Sequence, residues 1–110
     1  MDRVSRFRAR REALNEALLS DAPLPIKRFF ALDQDVYSDG ALSAQVKELL
    51  GLVASTVLRC DDCITYHLVE ASAAGATHDE IVEALAVALV VGGSITIPHL
   101  REAFAVLDEL

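Results

Sequence analysis

Along this chain apolar residues recur at intervals of three and four, the period of an amphipathic helix, and nowhere settle into the alternation of a strand. A first helix from about Asp2 to Leu19 places Val4, Phe7, Leu14 and Leu18 on one side and arginines on the other, an amphipathic and peripheral pattern. Ser20–Pro25 is a turn. Pro25 suits the first turn of a second helix through Phe29, Phe30, Leu32 and Val36, which Tyr37–Gly40 ends. Ser43 caps a third helix reaching about Leu58, whose expected core stripe is Val46, Leu49, Leu50, Val53 and Val57. Glu48 falls off that stripe, beside Leu52, Ser55 and Arg59, and taken alone reads as a solvated carboxylate. A fourth helix over 61–74 stops at Gly75, a residue suited to the left-handed terminator.

Thr77-His-Asp-Glu80 has the form of a capping box and opens a fifth helix from Asp79 to Val91. That helix is apolar nearly all round, which predicts burial nearly all round. Gly92-Gly93 breaks it or admits another backbone closely. Pro98 fits the first turn of a last helix carrying Leu100, Phe104 and Leu107, with Ser94 as its candidate cap. The β-branched run Ser94–Ile97 is too short to build a sheet, so the fold class is all-α, with about six helices.

Composition narrows the class. A chain of 110 residues reads as one domain, residues 1–110, and needs no structural disulfide. Hydrophobic residues make up 53% and aromatics only 5%, more aliphatic surface than one small core absorbs, so part of it is expected between subunits. The net charge of −7 argues against a nucleic-acid partner. It is uneven: residues 1–28 carry seven Lys or Arg against four acids, and residues 29–110 carry three against thirteen. The N-terminal stretch lacks the apolar centre of a signal peptide, and the most apolar run, Ile81–Ile97, is short for a membrane span. Only two cysteines, close together, fit a reducing compartment and a cytoplasmic location.

The chemistry concentrates in Cys60-Asp-Asp-Cys63-Ile-Thr-Tyr-His67. On a helix, Cys60, Cys63 and His67 stand at i, i+3 and i+7 on one stripe. A mid-helix pair three apart is too wide for a disulfide, but at a helix start the first cysteine is free of helical dihedrals and the pair closes there. The helix N-terminus also favours a thiolate. Cys63 and His67 are i, i+4 neighbours, so the imidazole is placed to take the thiol proton, and Cys60 to trap an oxidised Cys63 as a disulfide. If the third and fourth helices form an antiparallel hairpin about Arg59, Glu48 comes near His67 and orients it. Two plainer readings stand beside this one: half of a zinc site completed by His67, His78 or His99, or two small buried cysteines with a satisfied core histidine. His78 and His99 read as capping or surface residues, and Tyr66 as a packing residue facing away from the stripe.

Glu48, Cys60-x-x-Cys63-x-x-x-His67, Ala71, Gly75-Ala76-Thr77, Glu80-Ile81, Glu83-Ala84 and Gly92-Gly93 together resemble the carboxymuconolactone decarboxylase superfamily, in its AhpD-like alkylhydroperoxidase branch, over about residues 36–93. The resemblance implies an all-helical fold with a central hairpin, assembled as a homo-oligomer, a hexamer or else a trimer. It implies a thiol peroxidase without bound cofactor or metal, acting on a small organic hydroperoxide. Cys63 would attack, Cys60 resolve, Glu48 and His67 relay the proton, and a lipoyl-bearing protein serve as thiol reductant. Asp61 and Asp62 depart from the branch, where a histidine stands between the cysteines; two carboxylates there oppose thiolate formation. Decarboxylation of a small lactone or β-keto acid, and a non-catalytic redox-sensing oligomeric module, are the competing expectations.

Overall fold

A computed structural model describes residues 2–110. Six α-helices follow one another: α1 Arg3–Asp21, α2 Leu24–Val36, α3 Ala44–Val57, α4 Asp61–Ala73, α5 His78–Gly92 and α6 Ile97–Leu107, with a 3-10 turn Ser94–Thr96 before the last. There is no strand among the described residues.

The ends of these helices follow from short-range chemistry. Asp2 caps α1 by accepting the Ser5 N–H at 2.7 Å. Ser43 does the same for Val46 at the start of α3. At α5 both halves of the capping box form: Thr77 Oγ1 accepts from Glu80 N–H at 3.1 Å, and Glu80 Oε1 accepts from Thr77 N–H at 2.8 Å. Gly75 closes α4 at φ +93°, with Ala76 N–H returning to the Ala71 carbonyl. No side chain caps α6: Ser94 opens the 3-10 turn instead, and Pro98 sits in the first turn of the helix.

The core lies where α3, α4, α5 and α6 meet, around Leu52, Ile64, Leu68, Ile81, Leu85 and Val106, each at most 2% exposed. Gly92 lets the chain turn closely there, since a Cβ would stand 2.5 Å from Thr96 Cγ2. α1 and α2 lie largely outside this core. α1 buries only Val4, tied down by Arg3 and Val4 N–H bonds to Glu109, while Leu14 and Leu18 stay exposed. α2 buries nothing.

Two predicted faces differ from those observed. The inward side of α3 is Glu48, Leu52, Ser55 and Thr56, and the expected stripe turns outward at Val46 and Leu50. α5 buries only Ile81, Leu85 and Ala88 and exposes Val87, Val90 and Val91. The cause is the same in both: apolar residues outnumber the positions one chain's core offers, so hydrophobicity alone does not say which stripe faces inward.

Candidate redox site

α3 and α4 pack as a hairpin whose turn is Leu58-Arg59-Cys60. Arg59 adopts φ +62°, and the N–H groups of Arg59 and Cys60 close on the carbonyls of Thr56 and Ser55. This left-handed cap, made without glycine, delivers Cys60 to the N-cap of α4 in extended conformation (φ −102°, ψ 98°). Cys60 Sγ accepts the Cys63 N–H at 3.3 Å, and the two cysteines are joined as a disulfide with Cα atoms 5.2 Å apart. The pair thus occupies the one place on the helix where its spacing allows closure.

One turn on, His67 turns toward α3. Its Nδ1 lies 2.7 Å from Glu48 Oε2, and both side chains are about nine-tenths buried. Burial pushes the Glu48 carboxyl up, and the hydrogen bond to His67, pulling the other way, is the smaller effect. With Glu48 ionised, Nδ1–H must donate, because a carboxylate only accepts, and in the neutral imidazole Nε2 is then the acceptor. Cys63 and His67 both line a pocket of about 310 Å3, together with Tyr66, Phe7, Arg10 and Arg11. On its other side Glu48 lines a larger cavity of about 790 Å3.

Three residues join this site that the periodicity left out. Gly51 makes room for the imidazole: a Cβ there would meet the His67 ring at 2.6–2.8 Å. A glycine inside a helix costs about 1 kcal/mol against alanine, so its place one turn after Glu48 is a signal that the periodicity passed over. Tyr37 stands over the imidazole with ring centroids 5.4 Å apart. Tyr66, predicted to face away, meets the His67 ring edge-on at 5.1 Å and carries the Arg11 guanidinium 4.3 Å above its face. Helix geometry explains this, since the tyrosine is only one residue from His67 and its long side chain leans back over the N-terminal turn. Burial raises both phenols, with the charge of Glu48 contributing at each.

The remaining histidines lie apart from the pair. His78 is exposed beside Asp79, whereas His99 donates from Nδ1 to Asp61 Oδ1 at 2.7 Å. Among the described residues no group of three or more His, Cys, Asp or Glu is arranged to hold a metal.

The model of the carboxymuconolactone decarboxylase family matches residues 23–109, the span from α2 to α6. The chain belongs to the carboxymuconolactone decarboxylase family. Its kinship is visible at both levels. A crystal structure of a carboxymuconolactone decarboxylase family protein of Thermotoga maritima, for which involvement in an antioxidative response has been suggested, superposes with a TM-score of 0.90 at 59% identity, covering 94% of this chain and 88% of that one. A Legionella pneumophila family member in its apo form gives a TM-score of 0.89 at 26% identity over 99% and 97% of the two chains. By sequence, a Paracoccus denitrificans protein of uncharacterised function from the cox locus is 38% identical over 82 residues, 74% of each chain. Among the described residues no helix of this family member is long and apolar enough to cross a membrane.

Proposed function

We propose that the protein is a thiol-dependent peroxidase of the AhpD-like kind, reducing organic hydroperoxides through a Cys60/Cys63 dithiol–disulfide cycle. One observation carries the reading: a disulfide at the start of α4 shares its helix with an imidazole held by a buried carboxylate, and Cys63 and His67 open onto the same pocket. The antioxidative role suggested for the Thermotoga relative supports it.

In this cycle His67, oriented by Glu48, takes the Cys63 proton. The thiolate attacks the distal oxygen of the hydroperoxide, the O–O bond breaks, and the alkoxide leaves as the alcohol with that proton. Cys63 is now a sulfenic acid. Cys60, whose sulfur already receives an N–H bond that favours a thiolate, attacks it; the S–O bond breaks, water departs and the disulfide forms. A dithiol donor, with a lipoyl-bearing protein as its class, supplies two electrons and two protons to reopen it. The pocket beside Cys63 suits a small hydroperoxide, and the working form is a homo-oligomer, with the hexamer preferred over the trimer.

The test is single-turnover consumption of cumene hydroperoxide by the reduced protein. Cys63→Ser is expected to drop it to the uncatalysed background while circular dichroism stays unchanged. Cys60→Ser should still consume one equivalent but form no intramolecular disulfide by mass spectrometry. Full turnover in Cys63→Ser would sink the assignment.

A further inference from the structure

Asp61 and Asp62, which should oppose thiolate formation, do not stand bare. Asp62 meets Arg10 of α1 at 3.4 Å, with both side chains well exposed, a contact that solvent screens to little. Asp61 is held better. His99, at the start of α6 and only 23% exposed, donates to its Oδ1 at 2.7 Å, and Thr65 Oγ1 bonds its backbone carbonyl. The donor direction is unambiguous because an ionised carboxylate only accepts. Asp61 directly follows Cys60 and opens the first turn of α4, and its carboxylate is the one that His99 engages.

Of the other charges facing this corner, all but Arg6 stand in ion pairs among the described residues. Its cavity of about 580 Å3 is lined by Arg3, Arg6 and Arg10 from α1, Asp61 and Asp62 from α4, and Glu102 from α6. Arg3 is taken by Glu102 and Glu109, and Arg10 by Asp62. Among the described residues, His99 is the one side chain that bonds the Asp61 carboxylate.

We propose that His99 is a positioning residue for the redox pair: by drawing the Asp61 carboxylate onto its imidazole it shields the thiols from that charge and keeps them easier to ionise. The idea rests on the proposed cycle only in taking Cys60 and Cys63 as a working dithiol. It explains how a motif with two acids between its cysteines stays usable.

The experiment titrates the thiols of the fully reduced protein by absorbance at 240 nm, with iodoacetamide alkylation rates as a second readout. Neither involves peroxide, so the result is independent of peroxidase activity. His99→Leu, which removes the donor, is expected to raise the thiolate midpoint by about half a unit, roughly three-fold less thiolate below it. His99→Lys, which puts another N–H donor beside Asp61, should bring it back. Asp61→Asn should lower the midpoint, and His99→Leu should then have no further effect. A role confined to pinning α6 onto α4 predicts a lower melting temperature in His99→Leu with an unmoved midpoint, and that outcome overturns the proposal. So does an undiminished His99→Leu shift in the Asp61→Asn background.

Discussion

Glu48 shows how far one residue's surroundings decide its chemistry. On a bare helix it would be a solvated acid; in the fold it is 7% exposed and bonded to an imidazole. Because burial raises its carboxyl, the folded chain holds that proton more tightly than the unfolded chain does. Its contribution to stability is therefore fully present below the ordinary glutamate range and is lost as pH rises through the raised folded value. Urea midpoints of the native protein and Glu48→Gln, measured from pH 4 to 8, should diverge in slope, with the native protein losing more stability over that rise; parallel curves would contradict the assignment. In the proposed cycle the same variant should react about ten-fold or more slowly at pH 7 yet approach the native rate at alkaline pH, where the thiol ionises unaided. An equal loss at both pH values removes Glu48 from the relay. Gly51→Ala tests the other side of the imidazole. Its Cβ would overlap the ring, and because the ring is wedged between two helices the expected cost is about 1–3 kcal/mol in denaturant unfolding.

Among the elements, the helix boundaries were readable because capping is local. Ser43, the Thr77–Glu80 box, Gly75 and Pro25 each satisfy or excuse backbone groups within four residues, so the chain around them carries all the information needed. Thr77→Ala removes one of those bonds and should cost about 1 kcal/mol in thermal or chemical unfolding. Hydrogen exchange should speed up first at the start of α5. The buried faces were not readable in the same way. On α3 two stripes compete, one fully apolar and one bearing Glu48, Leu52, Ser55 and Thr56, and the second faces inward because α4 answers Glu48 with His67. A buried acid is tolerable only when such a partner exists. The partner lies across a turn, on another helix.

For the molecule as a whole, the unused stripes remain on the surface. Leu50, Leu58, Val87, Val90, Val91 and Ile95 are each more than half exposed, and α2 buries no residue at all. The radius of gyration, 14.4 Å, exceeds the roughly 13 Å of a compact chain this long, as expected when helices extend away from the core. Aliphatic surface on this scale is what a subunit interface covers. Light scattering is therefore expected to give a mass several times 11.9 kDa. A Leu50→Glu, Val90→Glu double variant should fall to smaller species with its helix content preserved; a native protein that runs as a monomer would refute the expectation.

The sequence by itself determined the helical class, most helix ends, the placement of a closable cysteine pair at a helix start and the family, because all of these depend on spacing and short-range bonding. Only the tertiary structure decided which faces are buried, that Gly51, Tyr37 and Tyr66 surround the imidazole, and that Asp61 belongs to His99. Those facts arise between residues up to dozens of positions apart. In a chain with more apolar stripes than core, the pairing of polar groups across helices selects among them.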